Sequence, residues 1–190
     1  MDFKIWLETF DSEVQELKDL VFEFAREKNM PTPTTYLDSG SDAVVFNTND
    51  NGVVARITKN KEKEDLNVCE KLISSPKIQQ TGAVVRVLNH SNYDNHLITY
   101  KEKINTNWEF FIRIKNPENY REILGDLLNL AGDFYLNDKF NMSKKIKNLT
   151  KYKETKQIAI LISRMPHLAK DLHEGNLGIN KDENIVIIDC

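Results

Sequence analysis

Asp171-Leu172-His173-Glu174-Gly175-Asn176, followed by the apolar run Ile185-Val186-Ile187-Ile188 and then Asp189, carries the most chemistry in this chain. A carboxylate and an amide five residues apart on a turn can face one cavity, and a β-branched apolar strand can return a second carboxylate beside them. Phosphoryl transfer needs this set: one carboxylate near the attacking hydroxyl, with an Asn and an Asp holding the Mg²⁺ that neutralises the phosphates. Asn176 would bind the ion through its carbonyl oxygen and Asp189 through its carboxylate, the hard ligands Mg²⁺ prefers, leaving Asp171 for the substrate. The same residues also fit an ordinary turn, with Asp171 capping, Gly175 reversing the chain and Asp189 ending a buried strand. Spacing alone leaves both open.

In order and spacing the segment resembles the catalytic loop and metal-binding Asp of the protein-kinase-like superfamily. His173, where protein kinases usually carry Lys, is closer to small-molecule kinases of the aminoglycoside phosphotransferase type. The chain departs from the family at Ala169-Lys170, which replaces His-Arg or His-Gly, and at Cys190, which replaces Phe. Upstream, Leu37-Asp38-Ser39-Gly40-Ser41-Asp42-Ala43-Val44-Val45-Phe46 resembles the glycine-rich loop, in which backbone N–H groups approach nucleotide phosphates. Only Gly40 stands of three glycines, with Ser39 and Ser41 as small donors and Asp38 and Asp42 adding negative charge. Asn51-Gly52 reads as a hairpin turn leading into strand Val53-Val54-Ala55-Arg56-Ile57. This is similar to the family's third strand, with Arg56 in place of the phosphate-binding Lys.

Residues 61–73 read as a helix with an apolar stripe of Leu66, Cys69, Leu72 and Ile73. The resemblance implies that Glu70 braces Arg56; a solvated acidic face is the alternative. Ala83 to Leu88 and His96 to Tyr100 read as strands, with His90 to Asn95 between them as a turn. His90 and His96 are expected in turn and surface positions. Leu97 to Ile104 is similar to the strand and hinge that hold adenine in kinases, which would assign backbone groups around Tyr100 to Glu102 to the base.

The flanks supply helices. Residues 2 to 28 place Ile5, Trp6, Phe10, Val14, Leu17, Val21 and Phe24 at helical spacing before Met30-Pro31-Thr32-Pro33-Thr34 stops the run. Trp108 to Ile114 fits a strand or an irregular link equally. A helix is expected from Asn116-Pro117 to about Leu136, and another from Tyr152 to Met165, closed by Pro166. The basic run Lys144-Lys145-Ile146-Lys147, with Lys151 and Lys153, reads as a wet helix or loop, with docking of an acidic partner as the alternative.

With 190 residues, 40% of them hydrophobic, the chain can bury a substantial core. A net charge of −3 and a pI near 5.9 give no nucleic-acid or membrane signature. Cys69 and Cys190 lie far apart without metal-ligand spacing, and the first residues lack the apolar core of a secretory signal, so a cytoplasmic protein is expected.

The resemblance covers roughly residues 36 to 190 and implies an α+β, two-lobed protein-kinase-like fold: an antiparallel-sheet small lobe and a reduced, mostly helical large lobe. The expected parts are an added N-terminal helix (1–30), the small lobe and hinge (31–104) and a truncated large lobe with the catalytic loop (105–190). Minimal kinases of this kind occur among bacterial effector and phage proteins. The implied function is ATP- and Mg²⁺-dependent transfer of a phosphoryl group to a hydroxyl, such as a Ser or Thr of a protein. Asp171 would be catalytic, Asn176 and Asp189 would hold metal, and Ser39, Gly40, Ser41, Arg56, Glu70, Tyr100 and Glu102 would bind nucleotide. A pseudokinase, acting as a nucleotide-binding or protein-interaction module, is the alternative.

Overall fold

The terminal helix forms where the apolar stripe places it, and its inner face fixes the first unit. In the computed structural model, which describes residues 3–39, 43–59 and 72–189 (side chains from residue 11), α1 spans Phe3–Lys28. It ends because Asn29 adopts a left-handed φ of 54° and Met30 N–H donates to Ala25 C=O at 2.8 Å, the reach-back bond of a Schellman cap. Leu17, Val21, Phe24 and Ala25 point into the core.

Residues 1–68 with 87–103 make one compact unit, and residues 69–86 with 104–190 make a second. The first is a five-stranded antiparallel sheet formed by β1 (Pro33–Ser39), β2 (Ala43–Thr48), β3 (Val53–Thr58), β4 (Val87–Tyr93) and β5 (His96–Glu102), in the order β1-β2-β3-β5-β4. Strand alternation divides the side chains of β3 and β5 between two faces. Val53, Ala55, Ile57, Ile98 and Tyr100 join the core cluster with α1, whereas Arg56 and Thr99, paired directly across the strands, lie on the other face.

The turn at Asn51-Gly52 forms as expected, but the other hairpin is tighter than its sequence suggested. Only Asp94 and Asn95, at φ of 44° and 63°, make the turn, and Tyr93 pairs with His96 across it. His90 therefore lies within β4 and not in a turn. The polar residues of β4 occupy the sheet's edge, where one strand flank needs no apolar covering. His96 is buried and not on the surface: its Nδ1 lies 2.6 Å from Thr58 C=O, and Leu97 N–H donates to Thr58 Oγ1. Arrival of a backbone carbonyl from β3 is what draws this ring inward.

Tyr100 is fully buried and stacks on Phe24 at 6.0 Å between ring centroids. Its hydroxyl has no hydrogen-bond partner among the described residues, and burial pushes the phenol well above its ordinary value of 10. A buried hydroxyl without a partner costs stability, so Tyr100→Phe is expected to stabilise the protein by about 1 kcal/mol while preserving the stack. Since the folded-state value is raised, the folded form holds this proton more tightly than the unfolded chain. Stability is therefore complete below about pH 10 and falls as pH rises beyond it. Urea melts near neutrality and near pH 11 check both points: Tyr100→Phe should raise the midpoint and flatten the alkaline fall.

The second unit is mostly helical. Residues 72–74 are helical, and α2 is the short Pro76–Gln79. Then come α3 (Trp108–Lys115), α4 (Tyr120–Tyr135), α5 (Lys139–Leu149) and α6 (Lys156–Arg164). Trp108–Ile114 is thus a helix. Burying Trp108 and Ile112, four apart, leaves Phe110 and Ile114 outside, and the same alternation had also fitted a strand. Between α4 and α5, Lys145 Nζ meets Asp133 Oδ2 at 2.6 Å in a half-shielded pair, and Asn148 Nδ2 donates to both Glu122 and Asp126.

A small hairpin, β6 (Leu177–Ile179) with β7 (Ile185–Ile187), completes this unit. Val84 bridges Ile187 in parallel on one side, and Asn105 bridges Ile179 on the other. The strand expected over Ala83–Leu88 is therefore divided: 83–85 lie along β7, while Val87 onward builds β4 of the first unit. The same division removes 69–86 from the 31–104 lobe drawn from sequence. Among the described residues, no helix is long and apolar enough to cross a membrane.

Candidate functional site

A 3-10 turn over Pro166–Asp171 follows α6, because Pro166 cannot continue the helix, and buried Leu168 and Ala169 anchor it. It delivers Asp171 half-buried at the start of the loop. A second short 3-10 turn, Glu174–Asn176, follows, begun by His173, whose Nδ1 accepts the Gly175 N–H at 3.1 Å. Asn176 then leads into β6.

The loop is closed by one amide. Asn176 Nδ2 donates to the Asp171 carbonyl and to Asp171 Oδ2, each at 3.0 Å. With its NH₂ group spent in this way, the Asn176 side chain has its Oδ1 acceptor left, and no described residue donates to it. Asn176 C=O accepts the Ile188 N–H at 2.9 Å, so the segment that runs from β7 to Asp189 is tied to the same residue. Asp171 and Asn176 are therefore in direct contact, and Asp189 follows immediately on the residue bound to Asn176.

Residues 104–108 brace this arrangement from within the same unit. The Trp108 indole N–H donates to Glu174 C=O at 3.2 Å, and Trp108 is buried. Asn105 and Ile179 exchange backbone hydrogen bonds of 3.2 and 2.8 Å. Gly178 lies under the same segment: a Cβ built there would sit 2.1 Å from Ile104 Cγ2 and 3.2 Å from Asn105 C=O. Glycine is required by that approach. Sequence reading missed Trp108 as a loop support, and a lone buried indole at a helix start offers little signal for it.

Metal chemistry fits the donor set in type. One amide oxygen and carboxylates are hard ligands suited to Mg²⁺ in a site that keeps several waters. Among the described residues, no group of three or more His, Cys, Asp or Glu is placed to hold a metal, so any ion here relies on Asn176 and few carboxylates.

The remaining candidates belong to the first unit. Ser39 ends β1 opposite Val44, and its N–H is taken by Asp38 Oδ1 at 2.8 Å. Gly40, Ser41 and Glu70 lie outside the described residues. Arg56 stands in mid-β3 between Val45 and Thr99, with Nη1 shielded from solvent. Tyr100 sits between Ala55 and Asn89, with strands on both flanks, whereas Glu102 pairs with Val53 alone. The side chains of Tyr100 and Glu102 are on the face opposite Arg56, so only backbone groups of this strand remain for a base. Buried Thr99 and Lys101 share the Arg56 face, an association that follows from strand period once the register is known.

No family model matches the chain, and no curated protein matches it in sequence.

Proposed function

We propose that this protein is an ATP- and Mg²⁺-dependent phosphotransferase of the protein-kinase-like type, acting on a hydroxyl acceptor. The observation that carries this reading is Asn176: its side-chain amide holds Asp171 by two hydrogen bonds, and its backbone carbonyl accepts the N–H of Ile188, the residue before Asp189. Further support comes from the cation on the third strand of an antiparallel sheet, where kinases carry their phosphate-binding lysine.

The roles follow from chemistry. Asp171 orients the acceptor hydroxyl and takes its proton, Asn176 and Asp189 would hold the metal, and Arg56 grips phosphate. Bound Mg²⁺ would neutralise charge on the transferring group; the protein contributes position and fixed dipoles. A Ser or Thr side chain of a protein is one such acceptor.

One observation favours the second reading, a pseudokinase that grips nucleotide or protein without transfer. The Ser39 N–H, a donor that phosphates would use, is already taken by the Asp38 carboxylate. Thermal-shift titration separates the readings from their absence. ATP with Mg²⁺ is expected to raise the melting temperature more than ATP alone, by the equivalent of about 2–3 kcal/mol at saturating ligand. Lack of any metal-dependent shift rejects the phosphotransferase, and labelled-phosphate transfer to itself or to a lysate tells enzyme from nucleotide-binding pseudokinase.

A further inference from the structure

The corner between α4 and α5 exposes three large apolar side chains that the phosphotransferase reading does not use. Tyr135 is 71% exposed, Leu136 80% and Phe140 79%. The corner is rigidly made: Asn137 takes a φ of 53°, Asp138 N–H reaches back to Asp133 C=O at 2.8 Å, and the Asp138 carboxylate caps α5 through Asn141 N–H. Because α5 buries Met142 and Leu149, its opposite face carries Phe140, Lys144 and Lys147 at spacings of four and three. The exposed phenyl thus begins a stripe that continues as two cations.

The acids of this hairpin are occupied elsewhere. Asp133 binds Lys145, Glu122 and Asp126 bind Asn148, and Asp138 is spent on its cap. Neither Lys144 nor Lys147 is ion-paired to a described residue, which leaves a local positive field on a chain of net charge −3. We propose that this face docks a protein partner through a short acidic segment with one bulky apolar residue at its end. The apolar residue packs on Tyr135, Leu136 and Phe140, and acidic side chains meet Lys144 and Lys147.

Geometry selects that occupant over other anions. Phe140 to Lys147 spans about 10 Å of helix, the length of about three residues of extended chain. A bilayer would take the apolar corner but tilt the far lysine away from its surface. The inference is independent of the phosphotransferase reading.

Fluorescence polarisation with labelled synthetic peptides of about ten residues tests it: one acidic with a single Phe, one acidic without it, and one with Lys for every acid. The acidic Phe peptide is expected to bind, and to weaken with rising salt. Phe140→Ser should weaken it at least about tenfold, and Lys144→Glu with Lys147→Glu should do likewise while gaining affinity for the lysine peptide. All three positions face solvent, so the variants should fold, which circular dichroism checks. The proposal is overturned by no peptide binding, by binding that the variants leave unchanged, by tighter binding to phosphatidylserine vesicles or oligothymidine, or by self-association that Phe140→Ser abolishes.

Discussion

Gly178→Ala should destabilise the second unit by about 2–3 kcal/mol, the upper range for forcing a methyl group into a packed interior. The added Cβ would fall 2.1 Å from Ile104 Cγ2, and that methyl belongs to a β-branched stub that cannot swing away as a long side chain would. Retreat of the strand is resisted on the other side, because Gly178 pairs with Val186 and its neighbour Ile179 is bonded to Asn105. Clearing the clash must therefore move β6, and with it Asn176, which immediately precedes the strand. Denaturant melts give the loss. In an Ile104→Ala background the same substitution should cost less by about 1 kcal/mol, the coupling expected of touching groups. Rescue should be partial, since Asn105 C=O remains 3.2 Å away. Equal cost in both backgrounds would show that Ile104 is not the obstacle.

The parts legible from sequence are those where one local signal suffices. The stripe Leu17, Val21, Phe24 described α1, Pro166 described the stop after α6, and Asn51-Gly52 described its hairpin. The contact between Asp171 and Asn176 was readable for the same reason, being a short-range feature of one loop. Long-range pairing was not readable. Nothing local says that Ala83–Val85 should lie along β7 while Val87 onward pairs with β5, because the residues on either side of the division, Ala83–Val85 and Val87–Leu88, are alike apolar. His96 read as a surface residue, and only the carbonyl that β3 brings beside it shows why it is buried. At Trp108–Ile114 the apolar pattern has period two and period four at once, and packing made the choice.

The face on which a residue lies mattered more for the site than its identity. Tyr100 was singled out as part of a base-binding strand, yet its ring is core against Phe24, and the polar face shared with Arg56 belongs to Thr99 and Lys101. Register, which a single sequence does not state, decides that assignment.

Asp171→Asn should reduce phosphoryl transfer by roughly 10³-fold, the scale of losing a positioned general base, while leaving Mg²⁺-ATP stabilisation intact. The substitution is nearly isosteric, and an asparagine oxygen turned toward Asn176 Nδ2 can keep the 3.0 Å hydrogen bond. The backbone bond from the same amide to residue 171 C=O is untouched. Stability should therefore change by no more than about 0.5 kcal/mol, so the lost activity reports the carboxylate charge and not the loop. Asn176→Ala is the contrasting variant, because it deletes both loop-closing bonds and a proposed metal ligand together. It should lower stability, metal-dependent nucleotide binding and transfer alike. Transfer that survives in Asp171→Asn at the wild-type rate removes Asp171 from the chemistry, and metal-dependent binding that survives unchanged in Asn176→Ala removes the amide oxygen from the ion's coordination.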